Sequence, residues 1–310
     1  MGARQRFPQK RYNITMVRNE QKIYSILFRQ GMMEMNKTYY VEKRYIKIKN
    51  GKIKLLIFFP KNREKKVPGV LWIHGGGYMT GMAEMAFFSR ALDVVKSGAV
   101  VVAPSYTLSW KKPYPAAIQD CYASLLYLKN HADELGVRSD QIFVGGESAG
   151  GGLTAAVCMY ARDKGKVNIA FQMPLYPMLD CEDTESSKDN HGIVWNTKRN
   201  HAAWKVYLRK LYGATGVSPY ASPSRQADYV NLPPAYTFVC EGEPFYLETL
   251  TYVENLKKAG IPAFVDVYPG KVHAFDMMMP WTKHSKEAAR TFRQHFLYAV
   301  KHYKAEQKEK

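Results

Sequence analysis

Residues 141–152 read Gln141-Ile142-Phe143-Val144-Gly145-Gly146-Glu147-Ser148-Ala149-Gly150-Gly151-Gly152, and a helix-period segment runs on from Ser148 to Arg162. An apolar run, a serine between glycines, then helical periodicity is the strand–turn–helix setting that a G-x-S-x-G elbow needs. Gly146 and Gly150 leave no side chains beside the turn. The backbone can then pack closely and hold the Ser148 hydroxyl clear of the sheet. A serine that only caps a glycine-rich helix would fit the same letters, so the choice rests on the rest of the chain.

Outward from this stretch, apolar runs with little alternation recur at Gly69 to Ile73, Ala99 to Ala103, Ile169 to Leu175, Ala235 to Cys240 and Ala263 to Tyr268. Strands buried on both faces read this way, which predicts a parallel sheet covered by helices. Helix-period segments lie between them: Met82 to Lys96, Ala116 to Leu135, Phe245 to Lys258 and Lys283 to Tyr303. Upstream, Tyr45 to Lys49 alternates, Asn50-Gly51 follows, and Lys52 to Phe58 continues. Asn-Gly between two such runs predicts an antiparallel hairpin. The sum is an α/β doubly wound fold with a mostly parallel central sheet. Two stretches break this rhythm. Residues 1–40 are basic with helical spacing, and 181–232 is polar with a helix-like piece near His201 to Leu211, read as an excursion over the carboxyl edge of the sheet.

With 310 residues, 46% hydrophobic and 23% charged, the chain has the composition of a globular domain and not of a disordered or fibrous one. No Pro/Gly/Ser linker divides it, so one domain is expected. Cys121, Cys158, Cys181 and Cys240 are widely spaced, with no metal-binding pattern. No apolar run reaches transmembrane length. Met1 to Arg11 lacks the apolar centre of a signal peptide, and Arg6 stands where a myristoylation signal has Ser or Thr. The expectation is a cytoplasmic protein with reduced thiols and no stable membrane anchor. The net charge is +18. Such a charge favours anionic partners in general, but it is spread along the chain and interrupted by no nucleic-acid-binding motif, so nucleic acid is not expected as a partner.

His74-Gly75-Gly76-Gly77 follows the run Gly69 to Ile73 directly. Its glycines leave backbone N–H groups uncovered, as a loop that stabilises a developing oxyanion needs. It lacks the endings of a phosphate-binding loop. A serine nucleophile also needs a later acid and then a histidine. Among eight histidines, His273 lies just after the run Ala263 to Tyr268, whereas His191 and His201 precede the candidate acids and His284 opens the last helix. The best-placed acid is Glu243, before Pro244 and after the run Ala235 to Cys240. Glu241, Asp266 and Asp276 are its rivals.

These motifs, with Tyr114 to Ala117, Leu175 to Asp180, Leu232 to Ala235 and Lys271 to Phe275, resemble the hormone-sensitive-lipase-like family of α/β-hydrolases from about Tyr45 to the last helix. The resemblance implies a triad of Ser148, Glu243 and His273. It also implies an oxyanion hole from the N–H groups of Gly76, Gly77 and Ala149, and a small helical cap from about 1–40 and 181–215. No metal or organic cofactor is implied. The implied activity is a carboxylesterase acting through an acyl-enzyme on short to medium acyl esters, acetyl esters included. A binding protein on a hydrolase fold is the alternative. Three positions depart from the family pattern: Glu243 and Glu147 stand where aspartate is usual, and Ala274 where glycine follows the histidine. Methionines at 32, 33, 35, 79, 82, 85 and 277–279 are candidates for an adaptable apolar pocket, bordered by Tyr78 and Trp195.

Overall fold

The computed structural model describes residues 37–48, 51–62 and 65–307. Eight strands form one sheet: β1 (Tyr39–Ile48), β2 (Gly51–Pro60), β3 (Val67–Ile73), β4 (Val100–Pro104), β5 (Val137–Glu147), β6 (Phe171–Leu175), β7 (Ala235–Cys240) and β8 (Ala263–Tyr268). Their spatial order is β1-β2-β4-β3-β5-β6-β7-β8. The first two form the antiparallel hairpin, with Ile48 opposite Gly51, and β2 runs antiparallel to β4. From β4 onward every neighbouring pair is parallel. This is the architecture expected from the apolar runs.

The helices are α1 (Ala91–Lys96), α2 (Ala116–Asn130), α3 (Ala132–Leu135), α4 (Ala149–Lys164), α5 (Thr197–Leu208), α6 (Tyr246–Lys258), α7 (Phe275–Met278) and α8 (Lys283–His302). Because strand side chains alternate between faces, the sheet has two cores. Leu71, Ile73, Val100 and Val102 pack with Leu125, Leu153 and Leu256 of α2, α4 and α6. Val70, Trp72, Val101 and Ala103 pack with Val94 of α1 and Phe292 and Phe296 of α8.

Several boundaries differ from the sequence reading. β1 begins at Tyr39 and the Thr38 carbonyl accepts from the Lys61 N–H at 3.0 Å, so Thr38, Tyr39 and Tyr40 join the sheet and not a cap, and residues 1–36 of the expected N-terminal cap lie outside the described residues. The single helix expected over Met82 to Lys96 is a 3₁₀ helix (Ala83–Phe88) followed by α1. Ser89 breaks it: its extended backbone ends the first piece, and its hydroxyl accepts the Ala91 N–H at 3.2 Å. The helix expected over Ala116 to Leu135 divides at His131. That histidine lies outside the helical region and its Nδ1 turns back to the Tyr127 carbonyl, 2.9 Å away, a local bond that competes with the helix ladder.

Phe292 shows how far the site's frame depends on the helical layer. It is fully buried and meets Trp72 of β3 edge-on, with ring centroids 5.9 Å apart. Phe292→Ala should lower the free energy of unfolding by about 3–5 kcal/mol, measured by urea titration. A loss under about 1 kcal/mol would mean that α8 does not brace the sheet at this point.

Candidate active site

Ser148 joins β5 to α4 with its backbone at φ 59°, ψ −121°. Left-handed backbone of this kind costs a non-glycine residue on the order of 1–3 kcal/mol and persists only where the surroundings enforce it. Here the Ser148 N–H donates to the Leu175 carbonyl at 3.0 Å, and its carbonyl accepts from Gly152 and Met178. A Cβ on Gly150 would collide with the backbone carbonyl of Ile73. The elbow therefore presses directly on the backbone of β3, and glycine is what permits it.

His273 lies in the loop between β8 and α7. Its Nε2 is 2.9 Å from Ser148 Oγ, and its Nδ1 is 3.2 Å from Glu243 Oε2. Loops after β5, β7 and β8 thus bring the three expected residues into one hydrogen-bond chain. Tyr176 and Phe245 hold the imidazole edge-on, with ring centroids at 5.2 and 5.0 Å. The Gly242 N–H donates to the Gly270 carbonyl at 2.9 Å and ties the acid's loop to the histidine's. Glu243 is fully buried. Burial pushes its carboxyl upward, and the His273 charge and hydrogen bond pull it back.

The rival acids are engaged elsewhere. Asp276 is buried, accepts the Tyr176 hydroxyl at 3.0 Å, and sits 3.1 Å from Arg90 Nε. Asp266 accepts the Tyr236 hydroxyl at 2.7 Å, and Glu241 is exposed. His201 pairs with Asp183, and His191 and His284 are surface residues.

Gly76 and Gly77 face the same cavity as Ser148 and His273. Both have positive φ, 108° and 59°, and a Cβ on Gly77 would strike the Trp195 indole. His74 anchors their loop. Burial lowers its pKa to about 4, so at neutral pH it is uncharged and its Nδ1–H donates to the Gly75 carbonyl at 2.8 Å. Ala149 is the first residue of α4, where backbone N–H groups have no helical acceptor.

The cavity measures about 1130 Å³. Met79, Met82, Met85, Met277 and Met278 line it with Phe88 and Trp195. Met279 is absent from that lining, and Met32, Met33 and Met35 lie outside the described residues. Tyr78 does not border it. Its ring stacks on Tyr207 at 4.0 Å and its hydroxyl donates to the Met178 carbonyl at 3.0 Å, deep in the core.

Sequence reasoning did not find the polar network behind Ser148. Trp72 Nε1 donates to the buried Glu147 carboxyl at 2.9 Å. Arg90, with no motif to mark it, is paired with Asp93 at 2.7 Å and with Asp276. Burial and the Asp276 charge raise the Glu147 pKa to about 8, against hydrogen bonds from Trp72 and Ser89 and the charge of Arg90. Among the described residues, no group of three or more His, Cys, Asp or Glu side chains is placed to hold a metal ion, and no helix is long and apolar enough to cross a membrane.

Fold and site together define an α/β-hydrolase arrangement. Residues 70–277 match the family model described as alpha/beta hydrolase fold. The esterase LipI of Mycobacterium tuberculosis is 30% identical over 229 residues, 73% of this chain and 71% of that one. A bacterial heroin esterase superposes with a TM-score of 0.84 at 30% identity, covering 92% of this chain and 90% of that one. A hyperthermophilic esterase from the archaeon Pyrobaculum calidifontis gives 0.77 at 29% identity, covering 90% and 91%. The chain belongs to the α/β-hydrolase-fold family, in its hormone-sensitive-lipase-like branch, and its enzyme class is carboxylic ester hydrolase.

Glu147 makes stability depend on pH. A folded-state pKa of about 8 against an ordinary 4.5 means the folded protein keeps a proton that the unfolded chain has lost. The stability this proton brings is fully present below pH 4.5 and is lost as pH rises through 8. Glu147→Gln should remove that decline. Urea titrations at pH 5 and pH 8 should show wild type losing at least about 1 kcal/mol more than the variant between them. Equal losses would count against it.

Proposed function

We propose that the protein is a serine carboxylesterase that works through an acyl-enzyme, with Ser148 as nucleophile, His273 as general base and acid, and Glu243 as the group that orients His273. The observation that carries this reading is the continuous chain from Glu243 Oε2 through His273 to Ser148 Oγ, at 3.2 and 2.9 Å. The names of relatives and structural neighbours support it: LipI is an esterase, and the superposed structures are esterases.

In this mechanism Ser148 Oγ attacks the ester carbonyl as its proton passes to His273 Nε2. The imidazolium that forms is stabilised by Glu243 across Nδ1. The proton then goes to the leaving alkoxide, and water enters, gives up a proton to His273 and releases the acid. The carbonyl oxygen becomes negative in both steps. Backbone N–H groups of Gly76, Gly77 and Ala149 receive it, and each such donor is worth about 3–4 kcal/mol in the transition state. Glutamate replaces the shorter aspartate of the family pattern, and its extra methylene spans the distance from the β7 loop.

The substrate in this reading is an ester of short to medium acyl chain, acetyl esters included. A cavity of about 1130 Å³ accepts molecules of that size. Five methionines give it adaptable walls. Residues 181–215 act as its cap: Val194, Trp195, Asn196, Lys198, Arg199 and Ala202 border the cavity.

Glu243 provides the test. Glu243→Gln should lower kcat for 4-nitrophenyl acetate by about 10⁴, because a neutral amide favours the wrong imidazole tautomer. Glu243→Asp should fall between it and wild type, since charge is kept and reach is lost. Near-full activity of Glu243→Gln, with the fold intact by circular dichroism, would remove Glu243 from the mechanism.

A further inference from the structure

The charge around the cavity mouth is one-sided. Two cations border it, Lys198 and Arg199, both in the first turn of α5. Among the described residues neither forms an ion pair with an acid. Arg199 is fixed in place: its Nη1 donates to the Ile193 carbonyl at 2.8 Å and also to the Val194 carbonyl. Lys198 is exposed.

The acids that border the cavity do not balance them. Glu84 is taken by Lys54, 2.5 Å away. Glu147 lies behind the nucleophile under the Trp72 indole, with a pKa near 8 that leaves it mostly uncharged at neutral pH. The remaining titratable groups on the wall are His273, already bonded to Glu243 and Ser148, and Tyr176, whose hydroxyl donates to Asp276 and which burial keeps uncharged.

Helix α5 sharpens the imbalance. Its first turn contains no acid, so two cations sit at the positive end of a twelve-residue helix, where the helix dipole opposes them. A local rule broken this way, at the mouth of a cavity that holds the nucleophile, is the kind of conflict found where function sets the sequence. An anion at the mouth would relieve it. The cavity that holds Ser148 is lined by five methionines with Phe88, Tyr176 and Trp195.

We infer that the substrate is an anionic ester: a carboxylate, held at Lys198 and Arg199, joined through an apolar spacer to the ester that Ser148 attacks. The inference rests on the reading of Ser148 as an esterase nucleophile. It adds the charge of the substrate and the residues that select it. The net charge of +18 acts in the same direction by raising the encounter rate with anions.

Two matched pairs of probes test this. On the acyl side, mono-4-nitrophenyl adipate is compared with 4-nitrophenyl hexanoate. On the alcohol side, 4-acetoxybenzoate is compared with phenyl acetate. For at least one pair, the ratio of kcat/KM for the anionic over the neutral ester should fall about tenfold in Lys198→Glu and should be retained in Lys198→Arg. In wild type the same ratio should fall severalfold as ionic strength rises from about 0.02 to 0.5 M, where the Debye length shrinks to a few ångströms. Ratios within twofold of wild type for both pairs in Lys198→Glu, with the neutral esters still hydrolysed, would overturn the substrate charge and leave the nucleophile standing. Wild-type protein that hydrolyses none of the four esters would overturn both.

Discussion

The backbone of Ser148 is the constraint on which the site depends. A serine at φ 59° is unfavourable by itself. It is held there because β5 and the first turn of α4 meet β3 with no side chain between them at Gly146 and Gly150, and because Leu175, the last residue of β6, supplies a carbonyl for the serine N–H. Each of these partners belongs to the parallel half of the sheet. Placing the hydroxyl above the carboxyl ends of the strands also places it where the loops after β7 and β8 can reach it with an acid and a base. The order of the strands and the geometry of one residue are thus the same problem, solved once.

A second layer of constraint is electrostatic. The floor beneath the elbow holds the buried Glu147 and Asp276 and the largely buried Arg90. Buried ions are costly unless they are paired and hydrogen-bonded. Burial lowers the Arg90 pKa, but Asp93 and Asp276 more than offset this and keep it a cation. Asp276 in turn fixes Tyr176, the ring that holds His273 edge-on. The pair therefore links α1, the loop after β6 and α7 into a rigid base under the reacting atoms. Ala274, next to His273, completes the turn with φ 56° and ψ 38°, a conformation in which glycine would be free of strain.

Much of this was legible in the sequence, for physical reasons that can be named. Strands buried on both faces leave unbroken apolar runs, so β3 to β8 could be placed. The glycines beside Ser148 and after His74 are there because side chains would collide, and that necessity is written in the letters. The histidine and acid could be ordered because each follows a strand. What could not be read was set by contacts distant in sequence. Arg90 is one basic residue in a helix-period stretch, and only the fold brings it to Asp276. Tyr78 follows the glycine loop directly, yet the fold turns its ring into the core against Tyr207. The break at Ser89 depends on a side chain bonding to backbone locally, which helical periodicity does not register. The spatial order that puts β4 between β2 and β3 leaves no mark in the strands' composition.

The most direct measurement is covalent labelling of Ser148, the proposed nucleophile. The native protein, treated with a fluorophosphonate at neutral pH, should gain the mass of one adduct. Peptide mapping should place that adduct on Ser148, with esterase activity lost in proportion. An adduct on another residue, or full activity in protein labelled at Ser148, would contradict the account.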